Sequence, residues 1–122
     1  VNIDDDVNFT GDQKKLSQMI NNLLSNAVKF TKEGFIKIEL HRDDNSVKLT
    51  VQDSGIGISK KDQKNLFEKF FKIDNEYTRE TGGTGLGLTI AKKIIDVHHA
   101  TVEVTSDLDK GTTFDIFFPI EY

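Results

Sequence analysis

The sequence predicts an α+β fold: a two-layer α/β sandwich whose mixed, mostly antiparallel sheet is covered on one face by about three helices. Two observations indicate it. Apolar residues recur at helical spacing in long segments near residues 12–30 and 86–95, and they alternate with polar residues in four short segments. Strands with one polar face need cover only on the other, so we expect the helices on one side of the sheet.

The first predicted helix runs from Asp12 to Phe30, and Asp12 suits the N-cap. A single apolar stripe supports it. The stripe consists of Leu16, Met19, Ile20, Leu23, Leu24, Ala27 and Val28.

An antiparallel hairpin is expected next, with the turn-forming residues 43–46 between its strands. The apolar positions of these strands are Ile36, Ile38 and Leu40, then Val47, Leu49 and Val51.

The second half of the chain predicts a short helix from after Ser59 to about Phe67, then a longer helix, then two strands joined by a turn at Lys110-Gly111. The apolar residues of the longer helix are Leu86, Ile90, Ala91, Ile94 and Ile95. Those of the strands are Val102 and Val104, then Phe114, Ile116 and Phe118.

Composition narrows the function. The 122 residues suit one domain spanning 1–122, and 16 basic against 20 acidic residues give a net charge of −4, without a basic cluster. A nucleic-acid partner is therefore not expected. No apolar run approaches the roughly 18 residues of a membrane span, and no signal peptide is visible. The sequence has no cysteine to form disulfides or thiolate metal sites, which suits a cytoplasmic domain. We expect the isolated domain to be a monomer without direct membrane contact, whether or not a parent protein is anchored in a membrane.

Asp53 is the most informative single residue. It continues the parity of Val47, Leu49 and Val51, so its carboxylate should point to the apolar side at the end of a strand. A buried carboxylate needs hydrogen-bond donors. Either it caps the turn at Ser54-Gly55, or it accepts a hydrogen bond from a ligand such as the exocyclic amine of adenine.

Asn22, Asn26 and Lys29 form a second stripe on the first helix, away from the apolar one. The stripe is either a solvated polar face or a site where an amide oxygen of Asn26 binds Mg²⁺, which prefers hard oxygen ligands. Lys29 would then stand near phosphate.

A glycine-rich turn, Gly83-Thr84-Gly85-Leu86-Gly87, immediately precedes the longer helix. Backbone N–H groups there could converge on phosphate at a helix N-terminus. The spacing is neither Walker A, since Leu88 follows Gly87, nor the dinucleotide pattern. The position of this turn after Asp53 strengthens its interpretation as a phosphate-binding turn.

Four segments together resemble the catalytic and ATP-binding domain of sensor histidine kinases, with its Bergerat fold, from about Gly11 to Pro119. They are residues 22–27, 53–58, 67–72 and 83–88, with sequences NLLSNA, DSGIGI, FEKFFK and GTGLGL. The resemblance implies that Asn26 ligates Mg²⁺ with Asn22 nearby, that Asp53 reads adenine, and that the turn ending at Gly87 holds the phosphates. The further residues that it implies at the ATP site are Phe30, Gly55, Gly57, Ile58 and Leu88. We expect Gly55 and Gly57 to let the backbone approach the base closely, with Ile58 packed on it.

The polar segment at about 72–82 resembles the family's mobile ATP lid. Among Phe67, Phe70 and Phe71, at least one is expected in core or hinge packing. Lys72 stands where the family usually carries an arginine that reaches the terminal phosphate; lysine keeps the charge and loses the bidentate fork. Arg79, within the lid, could substitute.

In this family the γ-phosphoryl group is transferred to a histidine on a separate dimerisation domain. A response regulator then receives it from that histidine. None of His41, His98 and His99 precedes an acidic residue, so we expect all three to be structural or surface residues and the acceptor to lie elsewhere. Asn22 occupies the position where gyrase-type relatives carry a glutamate that activates water, so hydrolysis should be slow.

Two alternatives remain at this point: a serine kinase of the anti-sigma type, and a nucleotide-binding regulatory module without catalysis. The phenylalanine-rich segment before the lid favours the histidine kinase over the first. Intact Asn26, Asp53 and loop glycines argue against the second.

Overall fold

The computed structural model describes residues 2–3, 13–31, 33–43, 45–67 and 87–119. Within these ranges the chain forms one five-stranded sheet, of order β1-β2-β3-β5-β4, and three helices. The strands are β1 (Asn2–Ile3), β2 (Ile36–Arg42), β3 (Ser46–Asp53), β4 (Thr101–Asp107) and β5 (Gly111–Pro119). The helices are α1 (Gln13–Phe30), α2 (Lys60–Gln63) and α3 (Gly87–Val97).

The sheet is mixed and mostly antiparallel. The two-residue β1 pairs parallel with β2, and every other described pairing is antiparallel. The turns predicted at 43–46 and at Lys110-Gly111 join β2 to β3 and β4 to β5. These features confirm the predicted fold class.

The core lies between the sheet and the two long helices. On the covered face, Val47, Leu49 and Val51 of β3 stand opposite Phe118, Ile116 and Phe114 of β5. Their partners from the helices are Met19, Leu23 and Ala27 of α1 with Ala91, Ile94 and Ile95 of α3. The apolar stripes predicted from the sequence therefore meet in one cluster, and they fix which faces of α1 and α3 turn inward.

The end of α3 forms a Schellman motif. Ala100 donates its N–H to the carbonyl of Ile95 at 2.9 Å, and His99 donates to the carbonyl of Asp96 at 3.0 Å. His99 itself adopts a left-handed backbone conformation, with φ 57°. Glycine is the usual residue at this position, so the chain accepts a strained histidine here.

The short helix is shorter than predicted. Ser59 caps it by accepting the N–H of Asp62 at 3.2 Å, but helix geometry ends at Gln63. Beyond that point Asn65 and Leu66 donate to carbonyls only three residues back, which tightens the chain into a turn. The turn buries Leu66.

Some expectations fall outside the described residues: the N-cap at Asp12 and the lid at about 72–82. None of the described helices combines the length and the apolar content needed to cross a lipid bilayer.

Candidate functional site

The carboxylate of Asp53 is buried at the end of β3, with only 5% of the residue exposed. Its Oδ1 accepts two backbone N–H groups, from Gly55 at 2.9 Å and from Thr112 at 3.3 Å. Burial raises the pKa of Asp53, and the two N–H bonds partly oppose that shift. Within the described part of the chain, Oδ2 receives no hydrogen bond. One oxygen thus holds the turn, and the other has no hydrogen-bond partner among the described residues.

Both sequence interpretations of Asp53 are therefore compatible. The bond from Gly55 is the turn-capping contact expected of an aspartate before Ser54-Gly55. It occupies Oδ1 alone, so it does not exclude recognition of a ligand through Oδ2.

The loop after Asp53 is held on two sides by backbone contacts. Ile56 donates its N–H to the carbonyl of Phe30, the last residue of α1, at 3.1 Å. The carbonyl of Ile56 accepts the N–H of Asp109 from the β4–β5 turn at 2.8 Å. The loop therefore bridges the end of α1 and the end of the β4–β5 hairpin.

The loop glycines fit these contacts. A Cβ on Gly55 would collide with the carbonyl of Phe30, and one on Gly57 would collide with the carbonyl of Asp107. Gly57 also has φ +74°, which disfavours other residues. Close approach to protein backbone thus explains both glycines, and approach to a base stays a prediction. Ile58 is a core residue, 2% exposed, and its packing on a base likewise stays a prediction.

The polar stripe on α1 is half-buried rather than fully solvated. Asn22 borders a cavity of about 540 Å³ that Lys14, Ser17, Gln18 and Asn21 also line. The side chain of Asn26 makes no hydrogen bond within the described residues. Lys29 places its Nζ 5.7 Å from the centre of the buried Phe30 ring.

Two buried side-chain polar atoms in the described part of the chain have no hydrogen-bond partner: Nδ2 of Asn22 and Oγ1 of Thr31. Thr31 directly follows α1. Because native proteins rarely leave buried donors unpaired, such atoms on one helix and its end are consistent with a ligand that is not present here.

Gly87 is the first residue of α3, and outside the adjacent residues and the helix's own backbone a Cβ there would have no atom of the described residues within 4 Å. The N-terminal turn of α3 contacts the segment before the predicted lid, because Thr89 donates its hydroxyl to the carbonyl of Phe67 at 3.2 Å. Phe67 packs edge-on against Phe114 at 6.3 Å, which confirms a packing role for it. Leu88 is half-buried. The remaining predicted residues of this region lie outside the described residues: Phe70, Phe71, Lys72, Arg79, Gly83, Thr84, Gly85 and Leu86.

The sequence interpretation missed three residues that support Asp53 and its loop. Thr112 holds the carboxylate through its backbone N–H, Ser106 accepts the N–H of Ile58 at 2.7 Å, and Gln63 donates its side-chain amide to the carbonyl of Ile58 at 2.8 Å. Only the Gly-Thr-Thr sequence after the last turn could have signalled Thr112, and nothing local signals the other two.

The histidines behave as predicted. His98 is buried, with Nδ1 2.8 Å from the carbonyl of Ile94, and it packs edge-on against Phe118. His41 is exposed and lies 3.2 Å from the carboxylate of Asp43.

Comparison with known proteins agrees with this geometry. Residues 11–122 match the family described as histidine kinase-, DNA gyrase B-, and HSP90-like ATPase. The circadian input-output histidine kinase CikA of Synechococcus elongatus is 39% identical over 112 residues, covering 91% of this chain and 15% of CikA. The sensor histidine kinase WalK of Bacillus subtilis is 39% identical over 111 residues, covering 88% of this chain and 18% of WalK. The sensor protein CiaH of Streptococcus pneumoniae is 42% identical over 111 residues, covering 90% of this chain and 25% of CiaH.

The chain thus spans a quarter or less of the length of these relatives.

Comparison with solved structures also identifies histidine kinases. The catalytic domain of the histidine kinase ThkA superposes with a TM-score of 0.81 at 28% identity, covering 98% of this chain and 80% of that one. The mycobacterial sensor histidine kinase MprB gives 0.78 at 28% identity, covering 91% and 74%. The chain therefore belongs to the histidine kinase-, DNA gyrase B- and HSP90-like ATPase family, and it is a histidine kinase ATPase domain of the kind found in two-component sensor kinases.

Proposed function

We propose that this domain binds Mg-ATP between α1 and the loop after β3 and transfers the γ-phosphoryl group to a histidine on a separate dimerisation domain, from which a response regulator receives it. The observation that carries the proposal is the buried Asp53 carboxylate. One of its oxygens has no partner in the described residues, and its loop is bonded directly to α1, the helix of Asn22 and Asn26.

At the base end, Oδ2 of Asp53 would accept a hydrogen bond from the exocyclic amine of adenine. The fixed Oδ1 keeps the carboxylate from rotating, so the acceptor is already oriented before the nucleotide arrives. Burial strengthens such a bond by excluding competing water.

At the phosphate end, the side chains present fit a magnesium nucleotide. The amide oxygen of Asn26 is a hard ligand of the type that Mg²⁺ accepts, alongside phosphate oxygens and water. The Nδ2 of Asn22, which has no hydrogen-bond partner among the described residues, is a donor and suits a phosphate oxygen rather than the metal. Lys29 adds positive charge one turn beyond Asn26. Bound magnesium would neutralise phosphate charge.

The N-terminus of α3 supplies the remaining anion-binding feature. Its first N–H groups have no partner within the helix, and the helix dipole favours negative charge there. We assign Gly83, Thr84, Gly85, Leu86, Gly87 and Leu88 to the phosphate turn, and Lys72 to the terminal phosphate.

Catalysis would consist mainly of positioning and charge neutralisation, as is usual for phosphoryl transfer. An amide at position 22 cannot act as a general base, so water is not activated there. The phosphoryl group would therefore await an acceptor that brings its own nucleophile.

A cytoplasmic location for the domain is also part of the proposal. The need for a supply of ATP and the absence of cysteine from the sequence support it.

Binding and labelling of the 122-residue domain test the proposal. It should bind ATP in the presence of Mg²⁺, ADP should compete, and radiolabelled ATP should leave no phosphate on the domain itself. Failure to bind ATP would overturn the nucleotide assignment. A stable acid-labile label on the isolated domain would instead overturn the separate acceptor, since the phosphate would then reside on one of its own histidines.

A further inference from the structure

The hydroxyl of Ser106 lies at the centre of a hydrogen-bond network beside the proposed base site. Asp53, Thr112 and Ser106 are cross-strand partners on β3, β5 and β4, so their side chains share the covered face of the sheet. Directly opposite residues in such a sheet have Cβ atoms roughly 4.5–5.5 Å apart. The three polar side chains therefore form one row that begins at the carboxylate.

The contacts of Ser106 determine where the hydroxyl protons lie. Its Oγ accepts the N–H of Ile58 at 2.7 Å. Its single hydrogen is donated to the carbonyl of Gly111 at 2.9 Å, since a carbonyl can only accept. Either hydroxyl could donate in the third contact, to Oγ1 of Thr112 at 2.8 Å, but only donation by Thr112 satisfies all three contacts of Ser106 at once.

Thr112 is left as an acceptor by this arrangement. In it the only hydroxyl hydrogen of Thr112 is directed to Ser106, so the lone pairs of Thr112 remain for a ligand or a water. Asp53, next to it in the row, also presents an acceptor, Oδ2. Two neighbouring acceptors fit a group with two hydrogens, such as an exocyclic amine, and oppose a carbonyl in the same place.

We propose that Ser106 is a positioning residue that sets base selectivity: it fixes the Thr112 hydroxyl as an acceptor, so that the site takes a 6-amino purine and rejects a 6-oxo purine. The inference rests on the proposed nucleotide site. It concerns the choice of base and is separate from metal binding and phosphoryl transfer.

A purely structural role for Ser106 makes a different prediction. Ser106 also holds the loop through Ile58, so removal of its hydroxyl should lower stability in any case. A loosened loop would weaken all nucleotides alike. Freeing the Thr112 hydroxyl, in contrast, would let it donate to a 6-oxo group, which selectively helps the wrong base.

Dissociation constants for ATP and inosine triphosphate, which carries a 6-oxo group in place of the amine, separate these roles. In Ser106→Ala we expect the preference for ATP over inosine triphosphate to fall about three- to tenfold, the equivalent of one neutral hydrogen bond. Thr112→Val, which keeps the shape and removes the hydroxyl, should lower the ratio similarly. Adding Ser106→Ala to Thr112→Val should then change the ratio no further.

Thr105→Ala is the matched control, because Thr105 neighbours Ser106 on β4 and points to the opposite face of the sheet, where it is exposed. The preference of Thr105→Ala for ATP over inosine triphosphate should equal that of the wild type. Equal weakening of both nucleotides in Ser106→Ala, or an unchanged ratio in Thr112→Val, would overturn the assignment while the nucleotide site stands. A wild-type domain that binds neither nucleotide would overturn the proposed function and the assignment with it.

Discussion

Ile56 donates its backbone N–H to the carbonyl of Phe30 at 3.1 Å, and this bond joins the last turn of α1 to the loop that follows Asp53. Asn26 lies one helical turn before Phe30. The residue proposed for the metal and the residue proposed for the base therefore belong to elements that are directly bonded. Gly55 makes the close approach possible because it lacks a side chain at the contact.

Gly55→Ala should break this junction. The added Cβ would collide with the Phe30 carbonyl, so the loop or the end of α1 must shift. We expect the free energy of unfolding to fall by about 1–3 kcal/mol, as for overpacked interiors. Chemical denaturation measures it. An unchanged unfolding midpoint would show that the contact is not rigid.

Gly87→Ala should weaken ATP binding without lowering the stability of the fold. Beyond its own helix, the new Cβ would meet no atom of the described residues within 4 Å. Alanine also favours helices, so stability should stay constant or rise by up to about 1 kcal/mol. If phosphate approaches the backbone at the start of α3, the same Cβ should weaken ATP binding by about tenfold or more. ATP affinity equal to wild type, measured by calorimetry, would exclude Gly87 from the phosphate site.

Asp53→Asn should weaken ATP and ADP binding by at least about tenfold, because it replaces a carboxylate oxygen with an amide that can supply only one acceptor. The remaining amide oxygen can still accept from Gly55 and Thr112, so the fold should persist. Asp96→Asn is the control: Asp96 is exposed on α3 and pairs with Lys92 at 2.7 Å. Binding of ATP to the Asp53 variant within about twofold of wild type would defeat the adenine assignment.

The stability of the nucleotide-free domain should also report on Asp53. Burial raises its pKa above the ordinary value of 3.8, so the folded state holds the proton more tightly than the unfolded state. The contribution of Asp53 to the free energy of unfolding should be greatest below pH 3.8 and should decline as pH rises through the folded pKa. Asp53→Asn removes this titration. The variant should melt higher than wild type at neutral pH, and the gap should close as the solution is acidified; a gap that does not change with pH would contradict the shift.

Asn26→Ala should abolish Mg-dependent phosphoryl transfer from ATP to a separately supplied phosphoacceptor domain, and it should leave the fold intact. Asn26 has no hydrogen-bond partner within the described residues, and alanine is the better helix former by about 0.6 kcal/mol. The circular dichroism spectrum should therefore be unchanged, with a slightly higher melting temperature. Ser25→Ala, at the exposed neighbouring position, should retain transfer. Transfer by Asn26→Ala at the wild-type rate would exclude the metal role.

His99→Gly should stabilise the domain by about 1 kcal/mol, since glycine adopts the left-handed conformation of the Schellman position without a Cβ penalty. His99→Ala keeps the Cβ and should bring no such gain. Equal melting temperatures for the two variants would show that the backbone strain at His99 is negligible.

Periodicity predicted α1, α3 and the four longer strands because each carries a complete apolar face. It missed β1, which has two residues and is defined only by its pairing with β2. Periodicity also predicted a short helix that is too long. Tertiary contacts of Gln63 and Leu66 end that helix, and no local sequence signal marks its end.

The site was predictable to a similar extent. The parity of β3 located Asp53 correctly, since burial at a strand end follows from alternation alone. Ser106 and Thr112 look like ordinary strand residues, and only the register of β3, β5 and β4 brings them beside the carboxylate. The loop glycines were anticipated for approach to a base, whereas the described contacts show them packed on backbone carbonyls of other segments.

The bonds that hold the Asp53 loop span long stretches of chain: Ile58 and Ser106 are 48 positions apart, and Asp53 and Thr112 are 59 apart. Contacts of such sequence separation close late, after the entropy of large loops has been overcome. Partly folded chains should consequently lack the base pocket altogether. Nucleotide added during refolding would then act only on molecules that have already docked their last hairpin, trapping the finished product without hastening its formation.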